Sequence, residues 1–289
     1  MGRWASEASG RAPEAFFALQ LERKSLQTRP GSAVMARMIS TDKAWEMFGK
    51  FDPYFGVLAD ERFASANIEE NRDLFFATGR SSVAHILNQY RDHFGDLPRE
   101  RALDFGCGVG RLTFPLAEEF SAVMGLDISP SMLAEAQSNA ERFNVENAQF
   151  ALADDRLSNA PGEFDFVTSY IVLQHIPVRR GLPILSRLVA KVRPGGGFHL
   201  HISIRTDSLA SRLVWWASHH IPGVKIWQNI RSGRTWNAPA MQMNNYSLNR
   251  IIVQLAGQGI SNIFISTEHH AKFLTCSLLG KKPDAPAAT

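Results

Sequence analysis

The residues best placed to do chemistry begin at Asp104, which stands two positions ahead of three alternating glycines, Gly106, Gly108 and Gly110. Glycines at that spacing let a chain turn sharply and let a ligand lie against bare backbone. The start of a following helix adds unpaired N–H groups that favour an anionic ligand group. A dinucleotide fingerprint is G-x-G-x-x-G, but its third glycine position holds Arg111. The acid at Asp104 suits a ligand ammonium group better than a pyrophosphate. Asp127 follows 21 residues after Gly106, about where a carboxylate takes both hydroxyls of a ribose in nucleotide-binding α/β folds; its alternative reading is a helix N-cap acid. Among the histidines, His175 is the best candidate for a general base, with a hydrogen-bonded structural role as the alternative. His201 is the second candidate, with a buried structural role favoured. His269 and His270 read as solvated. No His or Cys pair has metal-ligand spacing, so no metal site is expected. Cys107, inside the glycine turn, reads as packing rather than as a nucleophile.

These residues must be positioned by alternating strands and helices. Ala102–Phe105 and Ala122–Asp127 are apolar runs that each end at or beside an acid, followed by helical patterns over Arg111–Phe120 and Met132–Phe143. Ser129 and Pro130 mark the second helix start. Ala148–Ala153, Phe164–Tyr170 and Phe198–Ile204 complete five strands. A helix over Val178–Val192 is stopped by Pro194-Gly195-Gly196-Gly197. Such alternation predicts a doubly wound, mostly parallel sheet. Right-handed crossovers then bring Asp104, Asp127, Asp154 and Tyr170 to one rim. Ile260–Thr267 and Ala271–Leu279, joined through Glu268–His270, must pair antiparallel because the connection is short. Tyr246–Gly259 is a further helix. Ahead of the core, Ile68–Thr78 and Ser81–Phe94 read as two helices separated by Gly79, and Asp52–Gly56 as a turn. Tyr54 and Phe55 suit either core packing or closure over a ligand.

The chain has 289 residues, 45% of them hydrophobic, which is ample for one large α/β domain with additions. Its organisation reads as a disordered leader (1–37), an N-terminal helical region (38–97), a ligand-binding core (98–204), an inserted cap (205–245), a return to the core (246–281) and a tail (282–289). Lys+Arg 31 against Asp+Glu 28 is too balanced for a nucleic-acid partner to be expected. Only two cysteines, Cys107 and Cys276, and no apolar run of transmembrane length predict a cytoplasmic protein; a monomer or homodimer is expected. The insertion carries Trp215, Trp216, Trp227 and Trp236 with Arg212, Arg231 and Arg234. It reads as a substrate cap first, or as an oligomer contact, or as a surface for a membrane or lipid-linked substrate. Arg80, Arg231 and Arg234 are candidates for an anionic substrate group, with a solvated role as the default.

The ordered set LDFGCGVGRLTFPLA at 103–117, GLDIS at 125–129, FDFVTSYIVLQHIP at 164–177 and VRPGGGFHLHI at 192–202 resembles the class I S-adenosylmethionine-dependent methyltransferases. The resemblance covers about residues 98–280. A finer similarity, to bacterial small-molecule methyltransferases, rests on DPYFGVLADERF at 52–63, FFATGR at 75–80 and MQMNNY at 241–246, and implies N-terminal helices folded over the cofactor. The family implies a Rossmann-like seven-stranded sheet, mostly parallel with an antiparallel final strand. It also implies S-adenosyl-L-methionine as cofactor. Asp104, Gly106, Cys107, Gly108 and Gly110 would then hold the methionine part and Asp127 the ribose. Ile128 would pack on adenine, with Met132 in the same set. Asp154 or Asp155 would accept from the adenine amino group; the usual G-D-A pattern is absent. Ser169 and Tyr170 would lie beside the transferred methyl, with Tyr170 and His175 as catalytic candidates. No N-P-P-Y-type tetrapeptide follows the fourth strand, which argues against amide or exocyclic-amine methylation of protein or DNA.

The activity implied is methyl transfer to an oxygen or nitrogen of a small molecule, possible acceptors including a sugar or other secondary metabolite. Such transfer needs alignment above all, because the sulfonium is an excellent leaving group. The alternatives are a non-catalytic cofactor-binding or regulatory module, and methylation of a macromolecular or lipid-linked acceptor. A nicotinamide dehydrogenase is disfavoured by Arg111.

Overall fold

The computed structural model describes residues 40–206, 241–270 and 273–284, with backbone alone at Thr206 and His270. The expected leader, most of the inserted cap with its four tryptophans and Arg212, Arg231 and Arg234, and the end of the tail lie outside the described residues.

Three helical segments come first: α1 (Thr41–Phe51), α2 (Pro53–Val57) and α3 (Ile68–Phe94). Then follow β1 (Arg101–Phe105), α4 (Thr113–Glu119), β2 (Ala122–Asp127), α5 (Pro130–Arg142), β3 (Ala148–Leu152) and β4 (Phe164–Ser169). A short helical turn, Leu173–His175, leads to α6 (Val178–Ala190) and β5 (Val192–Thr206). After the undescribed segment come α7 (Leu248–Ala256), β6 (Ile263–His270) and β7 (Phe273–Lys281). The seven strands form one sheet in the order β3-β2-β1-β4-β5-β7-β6. β7 runs antiparallel to both β5 and β6, and the pairs from β3 through β5 are parallel. This is the Rossmann-like sheet expected from the sequence.

Both faces are covered, as strand periodicity requires. Leu103 and Phe105 of β1 point to one face, where they join Leu185 and Leu188 of α6 and Ile251 and Leu255 of α7 in one apolar cluster. Ala102 points to the other, packing with Val83, Ile86 and Tyr90 of α3 and Leu116 of α4. A third cluster, rich in aromatic rings, joins Phe48, Tyr54 and Phe75 of the N-terminal helices to Phe114 and Met132. Each such buried side chain contributes about 1.5–3 kcal/mol, so the N-terminal helices are held on by packing rather than by local propensity.

Several expected boundaries differ. Ile68–Phe94 is one helix of 27 residues that runs through Gly79; the glycine is there for close approach, since a Cβ would sit 2.0 Å from the Arg111 carbonyl oxygen. Pro53–Val57 is a helical turn, not a simple reversal. The helix after the glycine turn starts at Thr113, because Gly110 at φ 93 lies just before it. The helix expected through Val192 ends at Ala190, and Val192 already pairs with Phe164. Pro194–Gly197 lies within β5, where the register shifts before Gly197 meets Phe166; Gly195 takes φ 76, a bulge conformation that glycine supplies. Glu268–His270 belongs to β6 rather than to a loop. The last helix is shorter than expected, Leu248–Ala256.

Candidate functional site

Strand order reverses between β1 and β4, whose residues Asp104 and Thr168 pair. That is the switch point where parallel sheets bind ligands beyond their carboxyl ends. A cleft with about 970 Å³ of empty space, its open mouth included, lies there.

The floor of the cleft is the glycine loop. Gly106 takes φ 80 and its N–H donates to the Leu126 carbonyl at 2.7 Å. A Cβ at Gly106 would come within 2.3 Å of Val172, and one at Gly108 within 2.6 Å of Val57. The backbone is therefore pressed between a residue after β4 and one of α2. Gly110 does not line the cleft; a Cβ there would strike the Phe114 ring at 2.5 Å, so its freedom serves packing.

Two carboxylates flank the loop, Asp104 buried and Asp127 half-buried. Asp104 Oδ2 accepts from Thr113 Oγ1 at 2.7 Å, and burial pushes its carboxyl up to about 6 against that hydrogen bond. Asp127 Oδ2 accepts from the Gly108 N–H at 3.0 Å and Oδ1 from the Ser129 N–H at 2.9 Å. Burial pushes Asp127 up to about 6 as well, opposed by those N–H groups. Ser129, not Asp127, is the N-cap of α5, its hydroxyl accepting from the Met132 N–H at 3.1 Å. Each Asp127 oxygen therefore keeps a lone pair for a ligand hydroxyl.

At the far end of the cleft Asp154 and Asp155 behave differently. Asp154 is exposed, and its Oδ1 accepts from the N–H groups of Arg156 and Ser158 at 3.0 and 2.9 Å. Asp155 accepts from Arg180 Nε at 2.7 Å, and Arg180 also hydrogen-bonds Asp42 of α1. Both acids line the cleft with Ile128, Met132 and Cys107. Burial raises the Cys107 thiol well above its ordinary value, which leaves it inert.

At the methyl end expected from the sequence, Tyr170 and His175 line the cleft, whereas Ser169 is buried outside it with no partner for its hydroxyl among the described residues. The Tyr170 ring lies under the Arg111 guanidinium at 5.5 Å and beside His201 at 5.1 Å. His175 Nδ1 lies 2.7 Å from the Gln242 carbonyl oxygen. A carbonyl only accepts, so Nδ1 carries the hydrogen and Nε2 of the neutral ring is the basic atom. Burial lowers the pKa of His175, partly offset by that hydrogen bond.

The sequence reading expected N-terminal helices over the cofactor but named none of the residues by which they form the roof and one wall. Thr41, Asp42 and Trp45 of α1 line the cleft, and Trp45 stands edge-on to His175 at 5.0 Å. Glu46 anchors this helix, accepting from Ser129 Oγ at 2.8 Å and Ser131 Oγ at 2.9 Å. Burial pushes Glu46 up, but the serine hydrogen bonds outweigh it and hold the carboxyl at about 2. The apolar and aromatic run Ala44–Phe48 was the sequence signal that α1 packs on something. Tyr54 and Phe55 do not line the cleft; Tyr54 is core, its hydroxyl donating to Glu135 at 2.6 Å. Arg80 is exposed and paired with Glu118 at 3.0 Å. No group of three acidic, histidine or cysteine residues among those described is arranged to hold a metal.

The residues present fit S-adenosylmethionine: an acid for an ammonium group, an acid for a ribose diol, and a backbone cradle with no room for side chains. The buried charge has a measurable consequence. A carboxyl at about 6 when folded, against an ordinary 3.8, binds more protons folded than unfolded between those values. Its effect is thus a stability lost as pH rises from about 4 through 6. Asp104→Asn is expected to stabilise the ligand-free protein by about 2 kcal/mol at pH 7.5, and the gain should vanish near pH 4. Urea unfolding at the two pH values checks this; a gain equal at both, or none, contradicts the burial argument.

Comparison with known proteins agrees with this geometry. The family described as "Methyltransferase domain" matches residues 102–196. This chain carries a class I, S-adenosylmethionine-dependent methyltransferase domain. The domain shares 36% identity over 132 residues with the ribosomal protein L11 methyltransferase of Ralstonia pickettii, covering 45% of this chain and 40% of that protein. It shares 35% over 96 residues with the magnesium-protoporphyrin O-methyltransferase of Synechocystis, 33% and 42% of the two chains. With the trans-aconitate 2-methyltransferase of Deinococcus radiodurans it shares 34% over 141 residues, 48% and 50% of the two. The chain spans about half the length of the curated relatives it matches. Among solved structures, that of magnesium protoporphyrin IX methyltransferase from Synechocystis with bound SAH superposes with TM-score 0.58 at 21% identity, over 84% of this chain and 100% of that one. This places the methyltransferase fold across most of the described residues. No helix among them is long and apolar enough to cross a membrane.

Proposed function

We propose that the protein transfers a methyl group from S-adenosylmethionine to an oxygen of a small-molecule acceptor. The observation that carries this reading is the pair of carboxylates, buried Asp104 and half-buried Asp127, set on either side of a glycine cradle that admits no Cβ. The cofactor supplies a methyl group on a sulfonium when bound. Asp104 offers its carboxylate to the ammonium group and Asp127 its two oxygens to the ribose hydroxyls. Ile128 and Met132 give the adenine an apolar wall. α1 covers the cleft and excludes water, held by Glu46 on one side and the Asp42–Arg180 pair on the other.

His175 supports oxygen as the methylated atom. A hydroxyl gives up a proton as it is methylated, and a neutral imidazole with Nδ1–H fixed offers Nε2 to take it. Tyr170, whose phenol burial holds in the neutral form, lines the same end and orients the acceptor. Two of the similar proteins, from Synechocystis and Methylococcus capsulatus, are O-methyltransferases by name. The reading includes a cytoplasmic location, supported by two unpaired buried cysteines. It includes no nucleic-acid partner, supported by the near balance of charge.

Calorimetry with S-adenosylhomocysteine tests the binding half. Asp127→Ala removes a charged acceptor of two hydroxyls and is expected to weaken binding about 30-fold or more. Folded protein that does not bind, or binds equally after that substitution, would sink the reading. A screen of hydroxyl-bearing acceptors with radiolabelled cofactor then tests transfer.

A further inference from the structure

Arg111 occupies the position where a dinucleotide loop would have its third glycine, and it lines the cleft. Its side chain is a buried cation, the residue being 3% exposed. Among the described residues no carboxylate forms an ion pair with it. The nearby Asp104 is engaged by Thr113 instead. Nη1 reaches only the hydroxyl oxygens of Thr78 and Ser82, both at 3.4 Å, the outer edge of hydrogen bonding. Those hydroxyls donate their own hydrogens to backbone carbonyls of Phe75 and Thr78, so they bring no negative charge. Nε has no partner among the described residues. The face of the guanidinium is over Tyr170.

A buried charge is costly unless it is paired, and a buried N–H left unmade adds to that cost. Five donors in a planar fork match a carboxylate or phosphate in bidentate fashion. An unpaired guanidinium in a cleft wall is therefore a receptor awaiting an anion. We infer that Arg111 binds a carboxylate of a cleft ligand, so that the ligand completes an ion pair the described residues leave open. The inference rests on the methyltransferase reading for the identity of that ligand. Two sources share the chemistry: the α-carboxylate of the cofactor, and a carboxylate on the methyl acceptor. Burial also lowers the pKa of Arg111, opposed by Tyr170 and by the nearby Asp104, which stands close enough to be felt but forms no ion pair with it.

Calorimetry on the full chain separates the sources. The probes are S-adenosylhomocysteine, its decarboxylated analogue, and benzoate against neutral benzamide with the adenosyl site filled by the decarboxylated analogue. If the cofactor carboxylate is the partner, wild type should favour S-adenosylhomocysteine over the decarboxylated analogue about 10- to 100-fold, and Arg111→Gln should abolish the preference. If the acceptor carboxylate is the partner, the two adenosyl ligands should bind alike, and benzoate should bind at least about tenfold better than benzamide. Arg111→Gln should erase that difference too, and Arg111→Lys should restore part of either preference. Equal binding within both ligand pairs by wild type overturns the inference, and this needs no variant to fold. A carboxylate preference that survives in Arg111→Gln overturns it as well. If neither adenosyl ligand binds, the methyltransferase reading fails, while benzoate and benzamide alone still decide the role of Arg111.

Discussion

Replacing His175 by alanine is expected to lower kcat about 100- to 10,000-fold while leaving the affinity for S-adenosylhomocysteine within about threefold. The split follows from where the side chain stands. His175 lines the cleft just beyond the end of β4, beside Trp45. Its Nδ1–H is committed to the Gln242 carbonyl, which fixes the ring and its tautomer together. What the substitution removes is a proton acceptor, not a cofactor contact. The pH profile carries the same signature. Burial lowers the pKa below the ordinary 6.5, so the imidazole stays neutral and basic to lower pH than a solvated histidine. The wild-type kcat should show an acidic limb with its midpoint below pH 6.5, and His175→Ala should lose that limb along with most of the turnover. Stopped-assay rates from pH 5 to 8 with an acceptor found by screening decide the matter. Full turnover in the variant, or an unchanged limb, would assign His175 to structure.

The glycine loop and its acids were legible because their constraints are local. Gly106, Gly108 and Gly110 all take positive φ, and a residue type that permits this is visible in a single line of sequence. Asp127 was legible for a similar reason: it ends one strand, and the capping serine follows two residues later. The antiparallel close of the sheet was legible from a connection too short for a crossover. What escaped was the pairing of individual side chains across the chain. Glu46 is 83 residues from Ser129, and nothing in either neighbourhood signals that they will meet. Arg111 was read for the glycine it is not, because its own partners, Thr78, Ser82 and Tyr170, lie on two other elements. Asp154 and Asp155 look interchangeable as neighbours. Only the Arg180 pair, 25 residues on, shows that one is held by the protein and the other by its own turn.

Gly79 is the case where local reasoning gives the wrong sign. By helix propensity, Gly79→Ala in the middle of α3 should stabilise the protein by about 1 kcal/mol. The expected outcome is a loss of about 3 kcal/mol instead. Gly79 is buried, and an added Cβ would lie 2.0 Å from the Arg111 carbonyl oxygen and 2.9 Å from its carbonyl carbon. Those are backbone atoms of the segment between the glycine loop and α4, so no rotamer change relieves the contact. Either α3 moves off the sheet, loosening Val83, Ile86 and Tyr90 from their cluster, or the loop moves and takes Arg111 with it. The two responses read out differently. Displacement of α3 should lower stability with cofactor affinity kept per folded molecule. Displacement of the loop should weaken S-adenosylhomocysteine binding in step with stability. Urea unfolding, with calorimetry on the folded fraction, separates them, and an Ala variant as stable as wild type would show that the helix and loop are not in the close contact that makes this position a glycine.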